Sequence, residues 1–180
     1  MTVTMFLNIF PLHRLQSISG MLTKKKAENA MSDKISFLNI PGLIFLIIIM
    51  IPNFIYASKC PEGFLGKWKN KFVEILEQVG RFGCFICMAV NIPGTVYGFE
   101  NSRLFWLCVI FGTILVAAYC IIWYFWFWKN TLFRALSLSI LPSVLFIFCG
   151  IMSRSILLIV FSAIFAPCHI LISVKNCTQN

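Results

Sequence analysis

Read for its apolar and polar positions alone, the chain is a series of long apolar runs joined by short polar connections. Five runs contain no acidic residue and approach the length of a membrane span: 35–57, 81–99, 104–128, 132–152 and 156–174. A helix rising about 1.5 Å per residue needs about 20 residues to cross roughly 30 Å of hydrocarbon. The pattern therefore predicts an all-α, polytopic membrane helical bundle of about five transmembrane helices. The second run is the poorest, because Asn91, Pro93 and Gly94 interrupt it. Pro41, Pro52, Pro142 and Pro167 lie in the other runs and predict local kinks.

The segment 58–83 breaks this apolar pattern, with Lys59, Glu62, Lys67, Lys69, Lys71, Glu74, Glu77 and Arg81. Its first part, Ser58-Lys-Cys-Pro-Glu-Gly, has turn chemistry. From there Leu65, Trp68, Phe72, Ile75, Leu76, Val79 and Phe82 recur at three- and four-residue intervals and share one arc of a helical wheel, with the charges on the other faces. This predicts an amphipathic interfacial helix over 64–79, lying in the headgroup plane with Trp68, Lys67, Lys69 and Lys71 at the membrane interface. It would turn into the second span at Gly80-Arg-Phe-Gly. Glu77 stands four residues before Arg81, the favoured order for a helical ion pair. The same surface offers a docking site for a partner or ligand as the alternative to simple anchoring.

Composition supports the membrane class: 59% of residues are hydrophobic, 12% are charged and the mean hydropathy is +0.88. Ordinary soluble domains have about 45–50% apolar and about 25% charged residues. The 180 residues leave no room for a separate soluble catalytic domain beside five spans, so 31–176 reads as one transmembrane domain. The net charge of +9 is carried by lysine and arginine beside the spans, which suits an anionic lipid surface. No nucleic-acid partner is expected, because the aromatics lie inside apolar runs. The partners expected are the lipid bilayer and a membrane protein or a second copy of the chain.

Orientation follows from the basic residues of the connections. Counted from Met31, Lys59, Lys67, Lys69, Lys71, Arg81, Lys129, Arg134 and Lys175 share one side, against Lys34, Arg103 and Arg154 on the other. This places a plasma-membrane protein with its N-terminus outside and its C-terminus in the cytoplasm. Residues 1–30 do not read as a signal peptide, since their basic residues follow the apolar stretch, and because Met31-Ser-Asp-Lys leads at once into an apolar run they read as a disordered tail or an untranslated upstream extension. Translated, they would add Arg14, Lys24, Lys25 and Lys26 to the outer side and erase the asymmetry.

Candidate chemistry is sparse. Trp126 and Trp128, beside Lys129, close the third span as an interfacial belt, with an aromatic cage as the alternative. Gly112 and Gly150 offer close contact between the third and fourth spans. Cysteine is abundant, yet Cys84-Phe-Ile-Cys87 is the lone CxxC and has no second pair to complete a zinc or iron–sulfur site, so the thiols read as small buried hydrophobes. His169 is the ionisable residue set within a span, with a structural hydrogen bond to Ser137, Asn91 or a carbonyl freed by Pro167 as the bland reading. Arg134 is expected to snorkel to the surface. Every Asp and Glu falls in the tail or a connection, which argues against an ion-coupled transporter. No catalytic residue, cofactor or metal is expected, and the residues singled out for function are Glu77, Arg81, Asn91 and His169.

Four stretches carry a resemblance: Ile51-Pro-Asn-Phe-Ile-Tyr-Ala, Glu74-Ile-Leu-Glu-Gln-Val-Gly-Arg-Phe-Gly, Arg134-Ala-Leu-Ser-Leu-Ser-Ile-Leu-Pro and His169-Ile-Leu-Ile-Ser. From about Met31 to Asn176 the chain resembles small integral membrane proteins of Gram-positive, clostridia-like bacteria that have no assigned activity. The resemblance implies a start at Met31, and it differs at Cys168, where relatives would have Gly. The function expected is that of a membrane accessory or interaction protein, not an enzyme. A small-solute permease and a membrane-embedded lipid-modifying enzyme are the alternatives.

Overall fold

The computed structural model describes residues 20–21, 37–60, 68–129 and 131–178. The chain divides into a unit of residues 1–37, of which Gly20, Met21 and Phe37 are described, and a unit of residues 38–180. The rest of the expected tail 1–30 lies outside the described residues, as do Lys67 and the start of the expected 64–79 helix.

The described residues of the second unit form five α-helices: α1 (Ile40–Lys59), α2 (Lys71–Ala89), α3 (Ser102–Trp126), α4 (Leu132–Met152) and α5 (Ile156–Thr178). Among the described residues no strand accompanies them, only the isolated bridges Leu38 to Val90 and Val96 to Ser155. Helix starts follow from local chemistry: the side chains of Asn39, Asn70, Asn101 and Thr131 accept hydrogen bonds from the first free amides of α1 to α4. Each such cap stabilises its helix by about 1 kcal/mol.

Among the described residues, helices α1, α3, α4 and α5 are long and apolar enough to cross a membrane. Ile44, Ile47, Phe54, Ile110, Ile114 and Val160 point outward from them, as in a membrane-embedded bundle. Helix α2 is the exception, because it carries Lys71, Glu74, Glu77 and Arg81.

The run expected at 81–99 is helical only to Ala89; at Val90 the chain extends and then turns through Asn91-Ile-Pro-Gly, with Gly94 at φ +82°. Pro93 supplies no amide to continue the helix and Gly94 supplies the left-handed residue the turn requires. The expected interfacial helix is corrected in the same way. Trp68, Lys69 and Asn70 are not helical, Asn70 is the cap, and α2 runs unbroken through Gly80-Arg-Phe-Gly, where a change of direction was expected.

Packing follows the smallest residues. A Cβ on Gly80 would stand 2.9 Å from the backbone of Phe165, and one on Gly83 would collide with the Phe161 ring, so α2 lies against α5. Gly42 brings α1 against Met88 of α2. Gly112, expected to meet α4, instead faces Phe45 of α1, while Gly150 seats Ile159 of α5. Helices α3 and α4 meet through the Phe111–Phe148 ring pair at 4.4 Å.

Backbone hydrogen bonds close one end of the bundle: Asn39 N–H to the Ala89 carbonyl at 2.9 Å and Ile156 N–H to the Thr95 carbonyl at 3.0 Å. At the other end, the Trp68 N–H donates to Asn176 Oδ1 at 2.9 Å, fastening the start of α2 to the last turns of α5.

Candidate functional site

Helix α2 has the strongest segregation of polar and apolar residues in the bundle, and it is turned polar side in. Phe72, Ile75, Val79, Phe82 and Ile86 form an outward stripe, while Glu77, Gly80, Gly83, Cys84, Cys87 and Met88 face the interior. Four of these outward residues, Phe72, Ile75, Val79 and Phe82, lie on the arc that the periodicity assigned to a membrane surface, but the opposite side is covered by α5.

Glu77 is 2% exposed. A carboxylate so buried is stable only with charged or hydrogen-bonding partners. Its Oε1 accepts from Arg81 Nε at 3.0 Å and from Arg81 Nη2. His169 Nδ1, reaching across from α5, lies 2.9 Å from the same oxygen. The ring of His169 stacks on Phe165 at 4.6 Å, and Phe165 is the residue whose backbone meets Gly80. One close helix contact thus sets both the distance and the ring orientation.

The arrangement has a defined chemistry. An ionised Glu77 can only accept, so His169 is the donor of this hydrogen bond and Nδ1 carries the hydrogen. With a neutral ring the cluster has no net charge, and with a protonated ring it carries one positive charge. Arg81 and His169 retain side-chain exposures of 32% and 22%, which leaves a polar edge on an otherwise buried group.

Three of the four residues singled out from the sequence, Glu77, Arg81 and His169, therefore meet at one oxygen. The Glu77–Arg81 spacing had predicted their pairing. The partner of His169 is Glu77, not Ser137, Asn91 or a carbonyl, and the carboxylate assigned to a connection lies inside the bundle. Asn91 follows the end of α2, about 20 Å along the helix from Glu77 at about 1.5 Å per residue, and does not join the cluster. Of the interface residues, Trp68 and Trp126 are half-buried, while Lys69, Lys71 and Trp128 are exposed.

A second buried charge was missed. Arg134 is 8% exposed, not extended to the surface. Its guanidinium carbon lies 5.1 Å from the Tyr56 ring centre and 5.9 Å from that of Trp123. Its Nη1 donates to the carbonyls of Phe127 at 2.9 Å and Trp126 at 3.3 Å, satisfying the open end of α3. The aromatic run Trp123-Tyr-Phe-Trp-Phe-Trp was the available signal, since only some of its rings can face outward on one helix.

No family model, curated protein or solved structure matches this chain.

Proposed function

We propose that the protein crosses a bacterial plasma membrane with all five helices and acts there as an accessory or interaction protein, as its resemblance to small clostridial-type membrane proteins implies. The observation that carries the reading is α2: it buries Glu77 and presents Phe72, Ile75, Val79, Phe82 and Ile86 outward. In water that orientation would expose a large apolar face and hide an ion pair. In a bilayer it is the favourable one, and its 19 residues span about 28 Å at about 1.5 Å each. The end bearing Lys59, Lys69, Lys71, Lys129 and Lys175 faces the cytoplasm on this reading. The outward stripe of α2 then meets lipid or the helix of a partner, another membrane protein or a second copy.

Reporter fusions at Lys71, Lys175 and Tyr97 test the orientation, with cytoplasmic signals expected at the first two and an external signal at Tyr97. The opposite set would overturn it. Photo-crosslinking from Val79 and Phe82 in intact membranes, with Ile110 and Ile114 of α3 as controls, tests the interaction. A discrete protein adduct confined to the α2 positions supports it, and lipid adducts alone at every position would refute it. A small-solute permease is the second reading, favoured by the protonatable His169–Glu77 pair; it requires solute uptake that responds to His169→Asn.

A further inference from the structure

At the end of the bundle opposite Glu77, Cys108 of α3 and Cys149 of α4 bring their sulfurs to 3.6 Å across the helix contact. Both are buried, at 6% and 7% exposure. They border a cleft of about 20 Å³ that Met88 of α2 also lines, together with Asn39 and Ser153. A space of that size holds one water or one monatomic ion. We propose that Cys108, Cys149 and Met88 form a binding site for one soft monovalent metal ion, of which Cu(I) is the model.

The geometry and the donor set agree. With metal–sulfur bonds of about 2.3 Å, two sulfurs on one trigonal centre lie about 4.0 Å apart. The thiols at 3.6 Å need to open by only a few tenths of an ångström. Thiolate and thioether donors select Cu(I) over harder ions, and Cu(I) accepts low coordination numbers. Zinc would require four ligands, and among the described residues no group of three or more His, Cys, Asp or Glu side chains is placed to hold a metal. The charge balance also favours a monovalent ion. Its binding displaces one proton from one of the two thiols to bulk water, leaving a neutral complex of thiolate, thiol and thioether. Loss of both protons would bury a net negative charge beside an apolar wall. No electron is transferred, so the ion must arrive already reduced.

The test is anaerobic titration of the reduced full-length protein in detergent micelles with Cu(I) held by a chromophoric chelator. One ion per chain is expected, with one proton released per ion. Cys108→Ala and Cys149→Ala should each weaken binding by more than about a hundredfold, and Met88→Leu, which keeps the core volume, by about tenfold. The variant carrying Cys84→Ala and Cys87→Ala should bind as the parent does. X-ray absorption of the parent should show sulfur neighbours at about 2.3 Å. Binding that survives loss of both Cys108 and Cys149, or that follows Cys84 and Cys87 instead, would overturn the proposal, as would Met88→Leu protein that folds and binds without change. Recovery of Cys108 and Cys149 as a disulfide in protein that takes up no ion after reduction would also overturn it.

Discussion

Two charges are buried near the same end of the bundle and are held by different means. Glu77, between α2 and α5, is neutralised by Arg81 and bonded to His169. Arg134, among α1, α3 and α4, lies against aromatic faces and the terminal carbonyls of α3, where partial negative charge collects. Diffuse partial charges suit guanidinium, which is weakly hydrated and presents a planar fork. Carboxylate is more strongly hydrated and needs full counter-charge to remain inside. The first cluster contains a histidine, which can change its charge, whereas the aromatic rings and helix-end carbonyls described around Arg134 are neutral groups.

The largest test of this contrast is Glu77→Ala, which leaves Arg81 and His169 facing each other in the α2–α5 contact. Removing one partner of a buried pair costs about 3–5 kcal/mol, so denaturation in detergent should shift accordingly; a loss below about 1 kcal/mol would show that the cluster does not hold the helices. Arg134→Leu should cost about 2–3 kcal/mol, chiefly from the carbonyls of Trp126 and Phe127 left without a donor. Arg134→Lys should recover only part of that, since an ammonium lacks the fork; full recovery would reduce the site to a point charge.

Gly80→Ala sharpens the comparison differently, because it changes no polar group. The added methyl must push on the Phe165 backbone, and overpacking of this kind costs about 1–3 kcal/mol. It should also loosen the Glu77–His169 contact, read as a changed Nδ1 chemical shift of the His169 ring by NMR; an unchanged shift would separate the glycine contact from the cluster. The smallest effect belongs to His169→Asn, whose amide nitrogen stands where Nδ1 did. It should cost about 0.5–1 kcal/mol, against about 1.5–3 kcal/mol for His169→Leu, and equal losses for the two would remove the hydrogen bond from the account.

Much of the fold was legible because it rests on local chemistry. Apolar runs of span length became α1, α3, α4 and α5, and α4 matches the expected 132–152. The i,i+4 spacing of Glu77 and Arg81 made their pairing readable, and Pro93-Gly94 explained why the second run was weak. Misplacement of α2 had a single cause. Hydropathy places the helix where apolar residues dominate, whereas Asn70, a capping residue among lysines, marks where it starts.

By itself, then, the sequence determined the helical class, the apolar segments, the ion pair within one turn of α2 and the angular separation of its polar and apolar faces. Only the tertiary structure decided which face of α2 turns inward, that His169 meets Glu77, that Arg134 is enclosed, and that Cys108 and Cys149 touch. The physical reason is that periodicity fixes the angles between residues around one axis but not the sign of the solvent. The same stripe of Phe72, Ile75, Val79 and Phe82 would turn inward in water and turns outward in this bundle, where the close approach at Gly80 and Gly83 gives the polar face a partner on α5.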